Sequence, residues 1–457
     1  MNNVFKRTTF YAAIIATTAM SPLAMATNGY FADGYGTKNK GLVGGGVAAP
    51  QDAMIAATNP AGMVFVGERM DLGLAVFSPS PRSYSASADS FSQPDGPCGG
   101  PCPFTIGGFG GSQSIESDND YFLIPHFAYN WMLNTDSSVG VTVYGNGGMN
   151  TEYQGGQAQY DNGAGTGVTT PGTFGAGTAG VNLEQLFINA SYARKFGAAS
   201  SWGVSAILAY QRFEAKGLNT FQGYSLYGSD LSDNGTDTSY GFGVKLGIQS
   251  EVAPGFKLAA SYQSKMDMSE FDKYRGLFAE NGDFDIPETW TVGLAWNMAP
   301  KMMLTFDVQQ INYSGVAAVA NSITALQTNC TPGAPAPGAG CLGGSDGAGF
   351  GWDDMTIYKL GFQWETSSTW TWRAGYSHGE QPIPEGEVLF NILAPAVIED
   401  HVSFGFTNNM SPTSELNFVF THALNNSVTG ANAFNPSQNI TLEMSQNEAE
   451  VSWAWKF

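Results

Sequence analysis

A two-residue hydrophobic rhythm constrains this chain more than any other feature. Trp202, Val204, Ala206, Leu208 and Tyr210 alternate with Gly203, Ser205, Ile207 and Ala209. Tyr240, Phe242, Val244, Leu246 and Ile248 alternate with Gly241, Gly243, Lys245 and Gly247. The stretches 256–263 and 290–298 repeat the pattern. Successive side chains of a strand point to opposite faces, so each segment has one greasy face and one small or polar face. Runs of about 9–11 such residues, with aromatics near their ends, can cross a bilayer as tilted strands. Backbone groups in hydrocarbon need partners, and a sheet supplies them all only by closing on itself. The expected fold is all-β, an antiparallel transmembrane barrel.

Composition removes the alternatives. Only 13% of the residues are charged, about half the share in soluble domains. Aromatics make up 13%, too many for a disordered chain. After the N-terminus no apolar run reaches the roughly 18 residues of a membrane helix, and mean hydropathy is −0.12. The 39 acidic residues against 19 basic ones repel phosphates, so nucleic acid is not an expected partner. Fourteen strands are expected, the first at 68–80, the third at 138–153, the seventh at 256–270 and the last at 440–457. An even number suits a single-chain bacterial barrel. Short connections, as at 134–136 and 254–255, alternate with long polar ones near 82–118, 154–181, 217–238, 271–287, 315–351, 379–396 and 429–439. Such barrels place short turns in the periplasm and long loops outside.

Residues 1–26 read as a secretory signal peptide. Lys6 and Arg7 precede a short apolar core at 10–20, and Ala24-Met25-Ala26 is a small-x-small cleavage site. Its removal leaves 17 Lys+Arg against 39 Asp+Glu, a net charge of −22. Export permits disulfides. Of the three connectivities that four cysteines allow, proximity favours Cys98–Cys102 and Cys330–Cys341, both in Gly/Pro-rich stretches. A zinc site would call for tighter spacing and histidine partners, so neither metal nor cofactor is expected. At the other end Val451, Trp453, Trp455 and Phe457 share one strand face. That ending resembles the C-terminal signature by which the barrel-assembly machinery reads bacterial outer-membrane barrels. On a soluble sandwich the same edge would invite aggregation.

Between the signal peptide and the barrel (67–457) lies a segment, 27–66, that does not alternate. It is Gly/Ala-rich, with a short helix expected at 52–57 and a turn at Thr58 to Gly62. Its small residues let it pack compactly inside a lumen, whereas tails are richer in charge. Several motifs then follow in order. Asn28-Gly-Tyr-Phe31 stands just after the signal peptide, and Asn59-Pro60-Ala61 just before the first strand. Tyr144-Gly-Asn-Gly-Gly-Met149 falls in the third strand, and Ile286-Pro287-Glu288-Thr-Trp290 opens the eighth. Asp353-Asp354, Trp370 to Gly375 and Pro382-Ile-Pro384 come later. Over nearly the whole mature chain this order resembles the FadL/TodX family of outer-membrane transporters for long-chain fatty acids and hydrophobic aromatic compounds.

The resemblance implies a passive channel of the bacterial outer membrane. A hatch at 27–66, carrying the Asn59-Pro60-Ala61 motif, plugs the lumen. Thr27, Asn28, Gly29, Tyr30 and Phe31 gate a binding site. A kink at Tyr144, Gly145, Gly147, Gly148 and Met149 opens the wall, and the substrate leaves sideways among lipid and lipopolysaccharide. An apolar molecule recovers about 0.8 kcal/mol per CH₂ on entering hydrocarbon, and strand glycines permit bulges and bends.

The stretch 217–238 departs from the fatty-acid member of the family. It is short and acidic (Asp230, Asp233, Asp237), which argues against a large outer groove and leaves a smaller one from Leu218, Phe221, Tyr224, Leu226 and Tyr227 with Phe271, Leu277 and Phe278. No cluster of cations marks a carboxylate site. The candidates are Arg194, Lys195, Arg212, Lys216, Lys245, Lys257, Lys265 and Arg373, and fatty acid against neutral hydrocarbon stays open. The acidic run at 229–237 lacks the order of a calcium loop. Four isolated histidines without a nucleophile motif give no reason to expect an enzyme. The alternative reading is a general porin or an adhesin-like barrel. The packed segment at 27–66 and lumen faces rich in Gly, Ala, Ser and Thr argue against an ion-lined pore.

Overall fold

The structure, a computed structural model, describes residues 28–88, 104–107, 111–161, 167–333 and 338–457. The signal peptide expected at 1–26, Thr27, Cys98 and Cys102 lie outside the described residues. Among those described, fourteen strands form one closed barrel: β1 (Arg69–Ser78), β2 (Phe122–Asn134), β3 (Ser137–Asn150), β4 (Gly180–Lys195), β5 (Ser200–Lys216), β6 (Asp237–Ala253), β7 (Phe256–Gln263), β8 (Thr289–Ala299), β9 (Met302–Ile311), β10 (Met355–Glu365), β11 (Trp370–Gly379), β12 (Asp400–Ser411), β13 (Ser414–Asn432) and β14 (Asn435–Lys456). Each pairs antiparallel with the next, and β1 closes on β14 from Arg69↔Lys456 to Ser78↔Asn447.

The two-residue rhythm is the inside–outside rule. On β6, Tyr240 to Ile248 at even positions are exposed to the surroundings, whereas Gly241 and Lys245 face in. Trp202, Trp296, Trp364 and Trp370 ring the end with short turns, and Tyr240, Trp290, Tyr358 and Tyr376 ring the other. These are the two aromatic belts of a membrane barrel.

Two expected boundaries move. The strand expected at 256–270 ends at Gln263; Met266 and Met268 then fold inward as single bridges to Ile286 and Gly241. Gly243 and Gly241 leave the room for them, because a Cβ there would lie 2.7 and 2.2 Å from those methionines. The loop expected at 429–439 is mostly strand. β13 and β14 run on together, and the short strands Arg82–Ala86 and Gln113–Glu116 extend the sheet from the edge of β14. Ladder partners outside the membrane turn a polar sequence into strand. Another three-stranded sheet, Phe104–Ile106, Gln157–Asp161 and Gly167–Pro171, lies among the outer loops. Cys330 and Cys341 are bridged, with their Cα atoms 4.7 Å apart.

Residues 28–66 fill the lumen, nearly all buried. They hold two single-turn helices, Thr37–Lys40 and Ile55–Thr58, and a 3-10 turn, Pro60–Phe65, that leads into β1. The helix sits slightly later than 52–57. Asp52 instead stands before it and accepts from the Met54 amide at 3.1 Å.

Candidate transport path

Strand β3 is the irregular element. It pairs with β4 from Ser137↔Arg194 to Asn150↔Asn182, with one extra residue, Asn146, between Gly145 and Gly147. With β2 it pairs only from Asn134↔Ser137 to Phe127↔Val143. Beyond that point β2 runs from His126 to Phe122 against β1 alone. Every residue from Tyr144 to Asn150 is buried, so the in–out alternation of β3 stops there. The hydrogen-bond ladder of the wall is thus interrupted between β2 and β3 in its outer half.

N-terminal backbone holds the displaced part of β3. Phe31 bridges Gly147. The Gly148 amide donates to the Tyr30 carbonyl at 2.9 Å, and the Ala32 amide to the Asn146 carbonyl at 2.9 Å. A Cβ on Gly147 would sit 1.7 Å from the Tyr30 oxygen, so this approach requires glycine. The extra residue points inward: Asn146 Oδ1 accepts from the Tyr35 hydroxyl at 2.7 Å, and its Nδ2 donates to Gln185 at 2.9 Å. Tyr144 accepts from Asn189 at 3.2 Å and packs on Tyr35. The Tyr30 ring lies 5.3–5.9 Å from those of Phe31, Phe284, Tyr313 and Trp352. Tyr313 donates to the Asn28 carbonyl at 2.6 Å. Burial, with the nearby Tyr313 phenol, pushes the Tyr30 hydroxyl well above its ordinary range, so it stays neutral.

Two cavities adjoin this region. The outer one is lined by apolar side chains that include Phe213, Leu218, Phe221, Leu277, Phe278 and Phe390. The inner one is bounded by Gly29, Phe77, Gly148, Met149, Asn150, Trp352 and residues 394–396. Leu393 borders the first and Ala394 the second, so one stretch of chain separates them. The sequence-predicted cluster therefore meets in part. Tyr224, Leu226 and Phe271 pack on the same core, while Tyr227 stands outside under the Arg275 guanidinium. None of the eight candidate cations lines either cavity. Lys245 donates to the Ala57 carbonyl, Lys265 pairs with Asp285 at 2.7 Å, Arg212 with Glu184 at 3.3 Å, and Arg373 donates to Gln51 at 2.7 Å. The cation that does line the inner cavity is Arg82, which sequence reasoning passed over.

The hatch is fastened by means its composition conceals. Lys40 pairs with Glu448 and, at 2.9 Å, with Glu450. Lys38 pairs with Glu415, which Arg69 (2.5 Å) and Lys456 (2.7 Å) also reach. Burial depresses the Lys40 pKa, but the two carboxylates overcome it and hold it above its ordinary range. Burial wins at Lys38, helped by the Arg69 charge, and brings it to about 8. Burial and the Asp71 charge raise Asp52 to about 6. The expectation that the lumen faces are mainly Gly, Ala, Ser and Thr needs this correction. Asp71, Glu415, Glu448 and Glu450 sit at inward strand positions, and that parity was the available signal. The Asn59-Pro60-Ala61 motif is clamped to the wall. Asn59 donates to the Val47 carbonyl at 2.9 Å and accepts from the Ala61 amide at 3.0 Å, while Ser201 donates to the Ala61 carbonyl at 2.6 Å. Directly opposed Gly203 and Gly247 provide the flat spot: a Cβ at either would collide with Pro60 or Asn59, at 2.5 and 2.0 Å.

Known proteins agree with this architecture. The family model for outer membrane protein transport proteins (OMPP1/FadL/TodX) matches residues 14–452. The chain belongs to this family. It is therefore an outer-membrane transport protein. The P. putida toluene transporter TodX superposes with a TM-score of 0.59 at 17% identity, over 93% of this chain and 99% of that one. A Pseudomonas aeruginosa FadL homologue gives 0.62 at 14%, over 94% and 100%, and the Ralstonia pickettii toluene transporter TbuX gives 0.57 at 16%, over 93% and 99%. Among curated proteins none matches. In the outer loops Asp230 pairs with Arg275 at 2.5 Å, and Asp237 accepts from the Lys273 amide at 2.8 Å.

Proposed function

We propose that this FadL/TodX-family barrel takes up hydrophobic molecules from outside and releases them sideways into the outer membrane. The interrupted ladder between β2 and β3 carries the reading. A straight path is filled by residues 28–66, so a lateral path is the one the packing leaves. In this reading the outer apolar cavity captures the substrate. The inner cavity passes it along Gly148 and Met149 to the gap. Tyr30 and Phe31, with Asn28 and Gly29, gate the inner cavity, and Asn59-Pro60-Ala61 keeps the hatch on the wall. Similarity to a toluene transporter and to a monoaromatic hydrocarbon channel supports an apolar cargo.

The test is uptake of radiolabelled oleate and toluene by cells that lack their own transporter and express this chain. Wild type runs beside Gly147→Val, whose side chain has no space below Tyr30. Uptake of one probe, reduced at least tenfold in the variant while the barrel still assembles, is the expected result. No uptake of either probe, together with open conductance for small ions in planar bilayers, would sink the reading in favour of a porin.

A further inference from the structure

Asp283-Phe284-Asp285, in the loop ahead of β8, links the outer cavity to the N-terminal segment. The Phe284 ring is 1% exposed. It lies 4.8 Å from Phe278, which lines the outer cavity, and 5.9 Å from Tyr30. Gln211 of β5 donates to the Phe284 carbonyl at 2.9 Å, and Met266 and Ile286 exchange backbone hydrogen bonds at 2.9 and 3.1 Å. Asp285 is buried and well satisfied. It accepts from the Met268 amide at 2.7 Å and pairs with Lys265 at 2.7 Å. Asp283 is not satisfied in the same way. Its carboxyl stands within hydrogen-bonding reach of Asp285, yet its Oδ1 is buried with no donor among the described residues. Two ionised carboxylates are both acceptors, so they bond to each other only through a shared proton and repel without it.

The other charges that face the pair are Glu280 on the same loop and Lys265 and Asp267 just after β7; the Tyr30 phenol faces Asp285 from the N-terminal segment and stays neutral. Arg275, whose backbone passes beside Gly282, is held by Asp230 and the Tyr227 ring. Burial and the Asp285 charge push the Asp283 carboxyl up to about 7. We propose that Asp283 and Asp285 form a proton-sharing latch that positions Phe284. With the proton the ring is fixed between Phe278 and Tyr30; without it the carboxylates part and the ring yields, joining the outer cavity to the gate. This rests on the transport reading above and adds its regulation. The loop lies on the outer side of the barrel, so the pH of the medium sets the latch. A raised carboxyl keeps its proton in acid, so the latch is shut at low pH and released as pH rises through neutrality.

Hydrogen exchange of residues 280–288, read by mass spectrometry on the full chain in nanodiscs at pH 6 and pH 8.5 and corrected for the intrinsic chemical rate, tests it. Loss of one proton near neutrality raises the released fraction about tenfold between these values, and wild-type exchange should rise as much. Asp283→Asn, whose amide donates to Asp285 at any pH, should stay within about twofold of the wild-type value at pH 6. Toluene carries no charge, so the pH dependence of its uptake by cells reads the protein alone. Uptake by wild type should be about tenfold faster at pH 8.5 than at pH 6, and flat for Asp283→Asn. Should the variant fail to insert, the two wild-type profiles decide. Wild-type exchange that ignores pH, an Asp283→Asn that follows wild type, or measurable toluene uptake that is equal at both pH values overturns the proposal. Failure of the transport reading looks different: exchange then responds to pH while cells take up toluene at neither value.

Discussion

Around Lys38 and Lys40 the lumen is packed with paired charges; around Tyr30 and Phe213 it is packed with rings. The first region joins the hatch to β13 and β14 through Glu415, Glu448 and Glu450. The second joins the N-terminus, β3 and the outer loops through contacts such as Tyr30–Tyr313 and Phe213–Phe278. The difference is one of specificity. Buried ion pairs have a single satisfactory arrangement, because an unpaired partner in a low dielectric is costly. Apolar contacts are non-directional and can be exchanged for a passing apolar molecule. The charged region is suited to stay shut, the aromatic region to yield.

The largest effect should come from breaking the charged side. Lys40→Met leaves Glu448 and Glu450 facing each other without a cation, and should cost about 3–5 kcal/mol, read as the guanidinium midpoint of the barrel in detergent. Adding Glu448→Gln should recover part of the loss. An unchanged midpoint in the single variant would show that the hatch is not held by this pair.

A smaller effect sharpens the comparison through pH. Asp52 is raised to about 6 in the folded lumen by burial and by Asp71, against about 4 unfolded. Between those values the folded state holds the proton more tightly, so this group's contribution to stability falls as pH rises through that window. Asp52→Asn fixes the neutral form. Unfolding measured at pH 4 and pH 7 should therefore favour the variant at the higher pH by about 2 kcal/mol relative to the lower. Parallel pH profiles for the two proteins would contradict the assignment, since Lys38, Arg69, Asp71 and Glu415 remain in both.

The smallest effect on the barrel itself belongs to the outer loops. Cys330→Ser with Cys341→Ser opens a staple whose ends are 11 residues apart, worth about 2–3 kcal/mol locally. Faster protease cleavage within 315–351 is expected, with barrel heat-resistance unchanged and uptake within about twofold. Loss of barrel assembly would mean that the loops support the wall more than the contrast allows.

Much of this was legible from residues alone. The alternation in β5, β6 and β8 gave membrane strands, and the motifs at 28–31, 59–61 and 144–149 marked the segments that the structure brings into the lumen. The Asn59-Pro60 turn is an example of a place whose neighbours could not be read: its partner surface is two glycines on different strands, Gly203 and Gly247. The strands at 429–439 were hidden because their polar sequence gains its ladder partners only when β13 and β14 pair with each other. Lys40 and Glu448 stand 408 residues apart, so no local pattern links them.

Periodicity, an export signal and an aromatic C-terminal strand determined a closed outer-membrane barrel, because a bilayer accepts few other ways of satisfying a backbone. Tertiary structure alone decided where the wall opens and which cations meet which carboxylates. Those depend on the register between distant strands and on what lies behind each one, and a two-residue rhythm sets which face a side chain takes without setting what it meets there.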